Sequence, residues 1–192
     1  MSEQKSAEYG PVLTSLVACK NLPPLDPGEL DSSVDNLING LTDTLAFEAF
    51  EIEDRAMAKC CIAGILLLHN RLEMSHKISQ EIESPTGSYW HGLMHRREPD
   101  FSNSKYWFRR FKKHPVWIEL CPTARELSKK IRADAHTDFL QIQKEWDPFK
   151  FVDLCESALG SGSERERLCR EIQMQEWKFL FDYSFNHAIG KS

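Results

Sequence analysis

Apolar residues recur at three- and four-residue intervals over most of the chain, which is the period of an α-helix. The longest such pattern covers about 53–82; its first half is apolar on nearly every face, and its second half is amphipathic. No alternating run is long enough to indicate a sheet. The sequence therefore predicts an all-α protein, a multi-helix bundle around a central buried helix over about 53–82.

Capping and breaking residues divide the remaining pattern. Asp26-Pro27-Gly28-Glu29 has the residues of a helix start, and Ser84-Pro85-Thr86-Gly87 breaks the long central pattern. Further helices are predicted over about 88–97, 102–114, 124–144, 147–160 and 163–187. Residues 1–25 are predicted to form a flexible N-terminal arm, followed by a single helical domain over 26–192.

Bulk composition narrows the class of protein. The chain has 192 residues, 41% hydrophobic and 28% charged, with a net charge of −5. The most apolar stretch, 56–68, is too short to cross a bilayer, and the polar N-terminus is not a signal peptide. Six cysteines without a CxxC pair indicate reduced thiols, so we expect a cytoplasmic protein with no membrane partner. The acidic balance argues against nucleic acid as a general partner.

The segment 85–117 differs from the rest of the chain. It holds three of the seven His, three of the five Trp and seven of the 24 Lys and Arg. Its only acids are Glu98 and Asp100, so it carries +5 within a chain of −5. Imidazoles, cations and aromatic rings concentrated together indicate a functional site.

Two histidine stripes are the sharpest feature of the sequence. The first is His69, Glu73 and His76, and the same i, i+4, i+7 spacing recurs in His91, His95 and Glu98. A short connection makes their two helices antiparallel neighbours, so the stripes are predicted to face each other.

Such a set suits a transition metal, because imidazole and carboxylate are its common ligands; Glu73 to His76 also has the Glu-x-x-His spacing of helical di-iron proteins. The metal ligands are predicted to be His69, Glu73, His76 and Glu98, with His91 and His95 catalytic through proton transfer or metal binding. The alternative is a structural role, in which the four imidazoles only pack and hydrogen-bond.

A second set combines cations with rings. Guanidinium groups bind carboxylate or phosphate in bidentate fashion, and aromatic rings stack on flat ligands. The predicted ligand-binding residues are Arg96, Arg97, Arg109, Arg110, Tyr106 and Trp107. These side chains cannot all share one helix face, so the alternative is that the rings pack in the core while the cations are solvated.

The run SPTGSYWHGLMHRREPDFSNSKYWFRRFKKHPVW resembles an uncharacterised bacterial protein family in which a His-containing stretch precedes a KYWFRR-like segment. The resemblance covers about 68–117 and implies no activity. The leading hypothesis is a His/Arg-lined pocket for an anionic small molecule or a metal. Its rival is a non-catalytic interaction module, whose basic-aromatic surface over 95–114 docks an acidic protein or nucleic acid.

Overall fold

The computed structural model describes residues 9–18, 21–30, 32–131 and 135–191. Across these residues the chain forms α-helices and one short 3-10 turn (Ser32–Val34) and no strand, which confirms the predicted all-α class. The helices are α1 Gly10–Val17, α2 Asp35–Ile38, α3 Asp43–Ala46, α4 Arg55–Leu68, α5 Leu72–Ser79, α6 Pro85–Arg97, α7 Phe101–Arg109, α8 Trp117–Ser128, α9 Asp138–Ile142, α10 Pro148–Ala158 and α11 Glu164–Ala188.

Two helices, α4 and α6, form the centre of the bundle. All residues over 60–68 in α4 and over 86–97 in α6 are buried, and α6 packs against α4, α5 and α7. The long α11 packs against α4, α8 and α10, and a second apolar cluster lies among α8, α9, α10 and the first half of α11. Among the described helices, α6 therefore holds the most buried polar side chains.

Side-chain caps set the start of the main helices. The helices predicted from about 147 and 163 begin as predicted, whereas the one predicted from about 88 begins at Pro85. The Asp54 carboxylate accepts from the N–H groups that open α4, and Ser84 caps α6 with Pro85 in its first turn. Asp147 caps α10, while Ser163 caps α11 and Glu166 accepts from the backbone of the preceding loop. Each cap satisfies N–H groups that would otherwise lack a partner.

The helix predicted over 53–82 is two helices, because the chain reverses between α4 and α5. Asn70 adopts a left-handed conformation with φ 60°, which a side-chain amide tolerates. Its amide donates to the Glu29 carbonyl at 2.6 Å and accepts from Arg97 Nη2 at 2.6 Å. These two tertiary hydrogen bonds hold the break, and neither partner is close in sequence.

The helix start predicted at Asp26 was wrong. Gly28 has φ +68°, and the carbonyl oxygens of Asp26 and Pro27 accept from the Arg97 guanidinium at 2.9 and 3.3 Å. These carbonyls bind Arg97 rather than the N–H groups of a following helical turn. The next regular element after α1 is therefore the 3-10 turn. The helix predicted over 124–144 also differs: α8 begins earlier and ends at Ser128, and α9 is separate.

The segment before Asp26 is packed where the structure describes it; residues 1–8 of the predicted flexible arm lie outside the described part. In α1, Leu13 and Leu16 have no exposed surface. Arg170 of α11 donates to the carbonyl oxygens of Leu22 and Pro23, and Gln173 donates to that of Pro24. Residues 21–25 are therefore fixed against α11 although two prolines block a helix.

The five described cysteines are all buried thiols in reduced form, as expected; Cys19 lies outside the described residues. Burial raises the pKa of Cys60 and Cys61 above the usual range of a thiol, so both stay protonated. Within the described residues, no helix has the length and apolarity needed to cross a bilayer. A cytoplasmic location stays a prediction.

Candidate metal centre

Three imidazoles meet where α5 packs against α6. His91 and His95 lie one turn apart on α6, and α5 brings His76 to the same point. One nitrogen from each ring lies within 4.8 Å of the others. The predicted approach of the two histidine-bearing helices is therefore observed, with three members rather than four.

The closest contact in this cluster joins two nitrogens of the same kind. Nε2 of His91 lies 2.9 Å from Nε2 of His95. On the other side of His95, Nδ1 is 3.3 Å from Glu98 Oε2 without good hydrogen-bond geometry. Nδ1 of His91 is buried beside the Ser79 backbone, again without a well-formed hydrogen bond. Both rings thus turn Nε2 inward and Nδ1 toward an acceptor.

Burial keeps these imidazoles uncharged. Desolvation, followed by the neighbouring His95 and His76, lowers the pKa of His91 to about 3. Desolvation also lowers the pKa of His95, with Glu98 opposing the shift. Near neutral pH His91 and His95 therefore offer lone pairs rather than positive charge, which is the state that binds a metal.

Aromatic and cationic groups of α7 cover the outer side of the cluster. The Trp107 indole stacks on the His91 ring, with centroids 4.0 Å apart and planes 20° apart. The Arg110 guanidinium lies over the Trp107 indole, 5.0 Å from the ring centroid. The stack fixes the plane of His91, which determines the direction of its lone pair.

Two residues of the predicted metal set lie elsewhere. His69 lies at the end of α4, and its Nε2 is 2.8 Å from the carbonyl oxygen of Leu16 in α1. This imidazole therefore connects α4 to α1. Glu73 is exposed and pairs with Lys77 at 2.7 Å, and that lysine lowers its carboxyl pKa. The break at Asn70 separates His69 from His76, because the predicted stripe required one continuous helix. Glu73 shares α5 with His76, but its side chain points to solvent. Glu98 lies beside the cluster, as a partner of His95.

Arg96 is enclosed between α6 and α11. Its Nη2 lies 2.6 Å from Glu176 Oε2, and both side chains have almost no exposed surface. The hydroxyl of Tyr89 donates to the other oxygen of Glu176 at 2.8 Å, and Arg96 stacks on Phe151 at 4.8 Å. The partner of this guanidinium is therefore a carboxylate of the protein itself.

The Arg97 guanidinium donates mainly to backbone carbonyl oxygens. It donates to the carbonyls of Asp26 and Pro27 and to Asn70 Oδ1, with a longer contact to the carbonyl of Leu67. Desolvation lowers its pKa to about 10, which still leaves it charged at neutral pH. Its N–H groups serve the fold, so an anion would have to compete with four protein acceptors.

The remaining predicted ligand-binding residues lie on α7 or at its end. Tyr106 is 49% exposed, and its hydroxyl accepts from Arg110 Nη1 at 3.3 Å. Arg109 is exposed and lies 5.5 Å from the Phe149 ring. The structure thus separates the basic residues into two enclosed by the fold and two on the surface.

The residue that sequence reasoning missed is Glu176. It falls on the i+4 series Leu168, Ile172, Glu176 and Leu180, which is otherwise apolar and buried. A single carboxylate within a buried stripe requires a cationic partner. That signal was present in the sequence, whereas the identity of the partner was not.

The chain matches no protein-family model, no curated protein and no solved structure with which it was compared. The resemblance of the segment ending at Trp117 to an uncharacterised bacterial family therefore stays a prediction. Function must be argued from the geometry of the site.

Proposed function

We propose that the protein binds one divalent transition metal ion through His76, His91 and His95. The observation that carries the proposal is the convergence of three imidazole nitrogens within 4.8 Å on a buried helix pair. Imidazoles without thiolates suit Zn²⁺, Cu²⁺, Ni²⁺ or Co²⁺ rather than Mg²⁺ or Ca²⁺.

The contact between the two Nε2 atoms supports a bound cation. A neutral imidazole carries one N–H, and the acceptors beside both Nδ1 atoms favour placing it there. The two Nε2 lone pairs would then face each other at 2.9 Å and repel. A cation that accepts both lone pairs removes the repulsion. Two nitrogen ligands that each lie about 2.1 Å from a metal ion, with a right angle between the two bonds, are about 3 Å apart.

Glu98 supports the same proposal as a neighbour of a ligand. A carboxylate near Nδ1 of a ligating histidine fixes the ring and makes its Nε2 a stronger donor. Three protein ligands also leave a coordination position for water or another small ligand, which is the pattern of catalytic rather than structural zinc sites. The anionic ligand of the original hypothesis would then occupy that position rather than contact Arg96 or Arg97.

The test is a titration of metal-depleted protein with Zn²⁺, followed by calorimetry, and with Co²⁺, followed by visible absorption. We expect one ion per chain, with affinity lowered at least about 100-fold in His91→Ala and in His95→Ala. His136→Ala, at an exposed position away from the cluster, is the matched control. Circular dichroism separates loss of ligand from loss of fold.

A hydrogen bond between His91 and His95 without a metal is the rival state. In that state the wild-type protein would bind no stoichiometric Zn²⁺, or its affinity for Zn²⁺ would equal that of the double variant His91→Ala/His95→Ala. Either result refutes the metal centre.

The second candidate function is docking of an acidic protein. Arg109, Arg110 and Lys112 are exposed, and none of them pairs with a carboxylate within the part of the chain that the structure describes. Poly-L-glutamate should then bind with an affinity that falls steeply from low to moderate salt and is lost in Arg109→Gln/Arg110→Gln. Salt-insensitive or absent binding removes this candidate.

A further inference from the structure

A separate cavity lies between α8 and the segment that leads into α10. Its volume is about 780 Å³, within the range of small-molecule sites. The rings of Trp117 and Trp146 and the side chain of Ile118 supply apolar walls. Ile118 is 78% exposed, an unusual position for a large aliphatic residue beside two indoles. None of the three histidines of the metal centre lines this cavity.

Hydrogen-bond donors without partners surround the same cavity. Trp146 is only 4% exposed, yet its indole Nε1–H has no acceptor among the described residues. Arg125 Nε is likewise buried without an acceptor in the described part of the chain, while its Nη2 donates to the Gln143 carbonyl at 2.6 Å. The side-chain N–H₂ of Gln143, which does not itself line the cavity but lies next to the lining residue Lys144, also lacks a partner among the described residues. Buried donors of this kind are rare, and several together indicate an acceptor supplied from outside.

The charges around the cavity have the matching sign. The lining residues include three cations, Lys113, Arg125 and Lys144, and one acid, Glu145. Glu145 is already paired with Lys113 at 2.7 Å. The cavity therefore combines a positive balance, unpartnered N–H groups and two indole walls.

We propose that this cavity binds a small aromatic carboxylate. The ring of the ligand lies against Trp117 and Trp146, and its carboxylate accepts from Arg125 Nε and from the Trp146 indole N–H. Guanidinium and carboxylate form strong charge-assisted hydrogen bonds, and flat rings stack on indoles. Binding is noncovalent and independent of the proposed metal, since the two sites share no residue.

The probe is 2-naphthoate, compared with 2-naphthamide, which has the same shape without the charge. Calorimetry should show one saturable site, with the carboxylate at least about tenfold tighter than the amide. Arg125→Met should weaken 2-naphthoate about tenfold and abolish the difference between the two probes. Lys129→Met, an exposed position on the same helical segment, should leave both affinities unchanged.

Nuclear magnetic resonance locates the bound carboxylate directly. The chain has five tryptophans, so the indole N–H region of a ¹⁵N-correlation spectrum contains five signals. The signal absent from Trp146→Phe identifies Trp146. We expect it to move downfield when 2-naphthoate is added to the wild-type protein, and to move much less with 2-naphthamide.

Three results would overturn the proposal. The first is unsaturable binding of 2-naphthoate, and the second is equal affinity for the amide in the wild-type protein. The third is a Trp146 signal that the carboxylate does not shift. The first two are measured on the wild-type chain alone, so they hold even where a substituted variant, including the one that assigns Trp146, fails to fold. Repeating the titration with His95→Ala distinguishes this cavity from the metal centre, because that variant should bind 2-naphthoate normally.

Discussion

The buried histidines of this protein differ by what touches each ring nitrogen. His69 uses Nε2 for the backbone of α1, whereas His91 and His95 turn Nε2 toward each other. His114 accepts from the Val116 N–H at Nδ1 and therefore donates from Nε2 to Thr86 Oγ1, at 3.2 Å. Tautomer, and with it the ability to bind a metal, is set by these neighbours rather than by residue type.

Glu98 is expected to strengthen metal binding without being a ligand. Glu98→Gln removes the charge beside Nδ1 of His95 and should lower Zn²⁺ affinity about tenfold, with one ion per chain still bound. Glu73→Gln changes an exposed carboxylate of the original metal hypothesis and should have no effect. Calorimetric titration of the two variants with Zn²⁺ measures both affinities. Complete loss of binding in Glu98→Gln would make Glu98 a direct ligand.

His114 is expected to make stability depend on pH. Desolvation, followed by the charge of His187, lowers the pKa of His114 from 6.5 to about 4. The rings of Tyr89 and Tyr183, from the helices packed around it, contact the imidazole. Between pH 6.5 and 4 the unfolded chain binds a proton that the folded protein does not. The free energy of unfolding should therefore be highest above pH 6.5 and fall toward pH 4, by at most about 1.4 kcal/mol per unit from this group.

Urea unfolding at a series of pH values measures that slope. His114→Gln retains the side-chain N–H toward Thr86 and should reduce the slope, leaving the contribution of His91, whose pKa is also lowered, to about 3. An unchanged slope in this variant would assign the pH dependence to other groups.

At this scale the sequence predicted the approach of His76, His91 and His95, but it also included residues that lie elsewhere. The spacing of His91 and His95 placed both on one face of a helix, and His76 joined them across the helix pair. The role of His69 depended on a continuous helix, and the break at Asn70 is held by partners far away in sequence; Glu73 shares α5 with His76 but faces solvent. Spacing reports local geometry only, so such a break is invisible to it.

Among the helices, the close approach of α4 and α6 depends on a position without a side chain. A Cβ added at Gly64 would lie 2.7 Å from the Trp90 ring. The carbonyl of Gly64 also accepts from Trp177 Nε1 at 2.8 Å, and the Trp90 indole donates to Ser184 at 3.1 Å. One glycine thus lets two large rings pack while both indole N–H groups are satisfied.

Gly64→Ala should therefore destabilise the protein although alanine favours a helix. The added methyl group has to displace a fully buried indole, and we expect a loss of about 1–3 kcal/mol. Gly40→Ala is the control, because nothing lies within 4 Å of its Cβ position. Urea unfolding of both variants measures the difference, and equal stabilities would show that α4 and α6 separate at little cost.

Helix type was more predictable than helix extent. Caps at Asp147 and Ser163 act within a few residues, so their helices begin where the sequence predicts, whereas the helix predicted from about 88 begins at Pro85 with Ser84 as its cap. The start predicted at Asp26 uses the same local chemistry and still fails, because Arg97 takes the carbonyls that a helix needs. Local preference decides an element only when no distant side chain competes for its backbone.

For the molecule as a whole, the enclosed pair of Arg96 and Glu176 joins the central helix to the longest one. Glu176→Gln leaves a buried guanidinium without a counter-charge and should cost about 3–5 kcal/mol of stability. The double variant Arg96→Met/Glu176→Gln keeps an acceptor for Tyr89 and removes both charges, so it should be more stable than the single variant.

The exposed pair of Lys113 and Glu145 provides the comparison. Lys113→Gln should cost less than about 1 kcal/mol, since both partners are in water. Chemical unfolding of the wild type, Arg96→Met, Glu176→Gln and the double variant gives the coupling energy of the buried pair. A double variant less stable than Glu176→Gln would show that Arg96 stabilises the fold even without its carboxylate.

The hydrogen bonds that hold residues 22–24 to α11 also fix an order of events during synthesis. Arg170 follows Pro23 by 147 residues, so the ribosome makes its carbonyl partners long before it makes the guanidinium. At ordinary rates of elongation the interval is about 10–30 s. Tyr9 likewise has no Phe181 and Phe185 to pack against during that time, and a nascent chain is then most open to chaperones and proteases. These residues are made well before α11 and are among the last to reach their place.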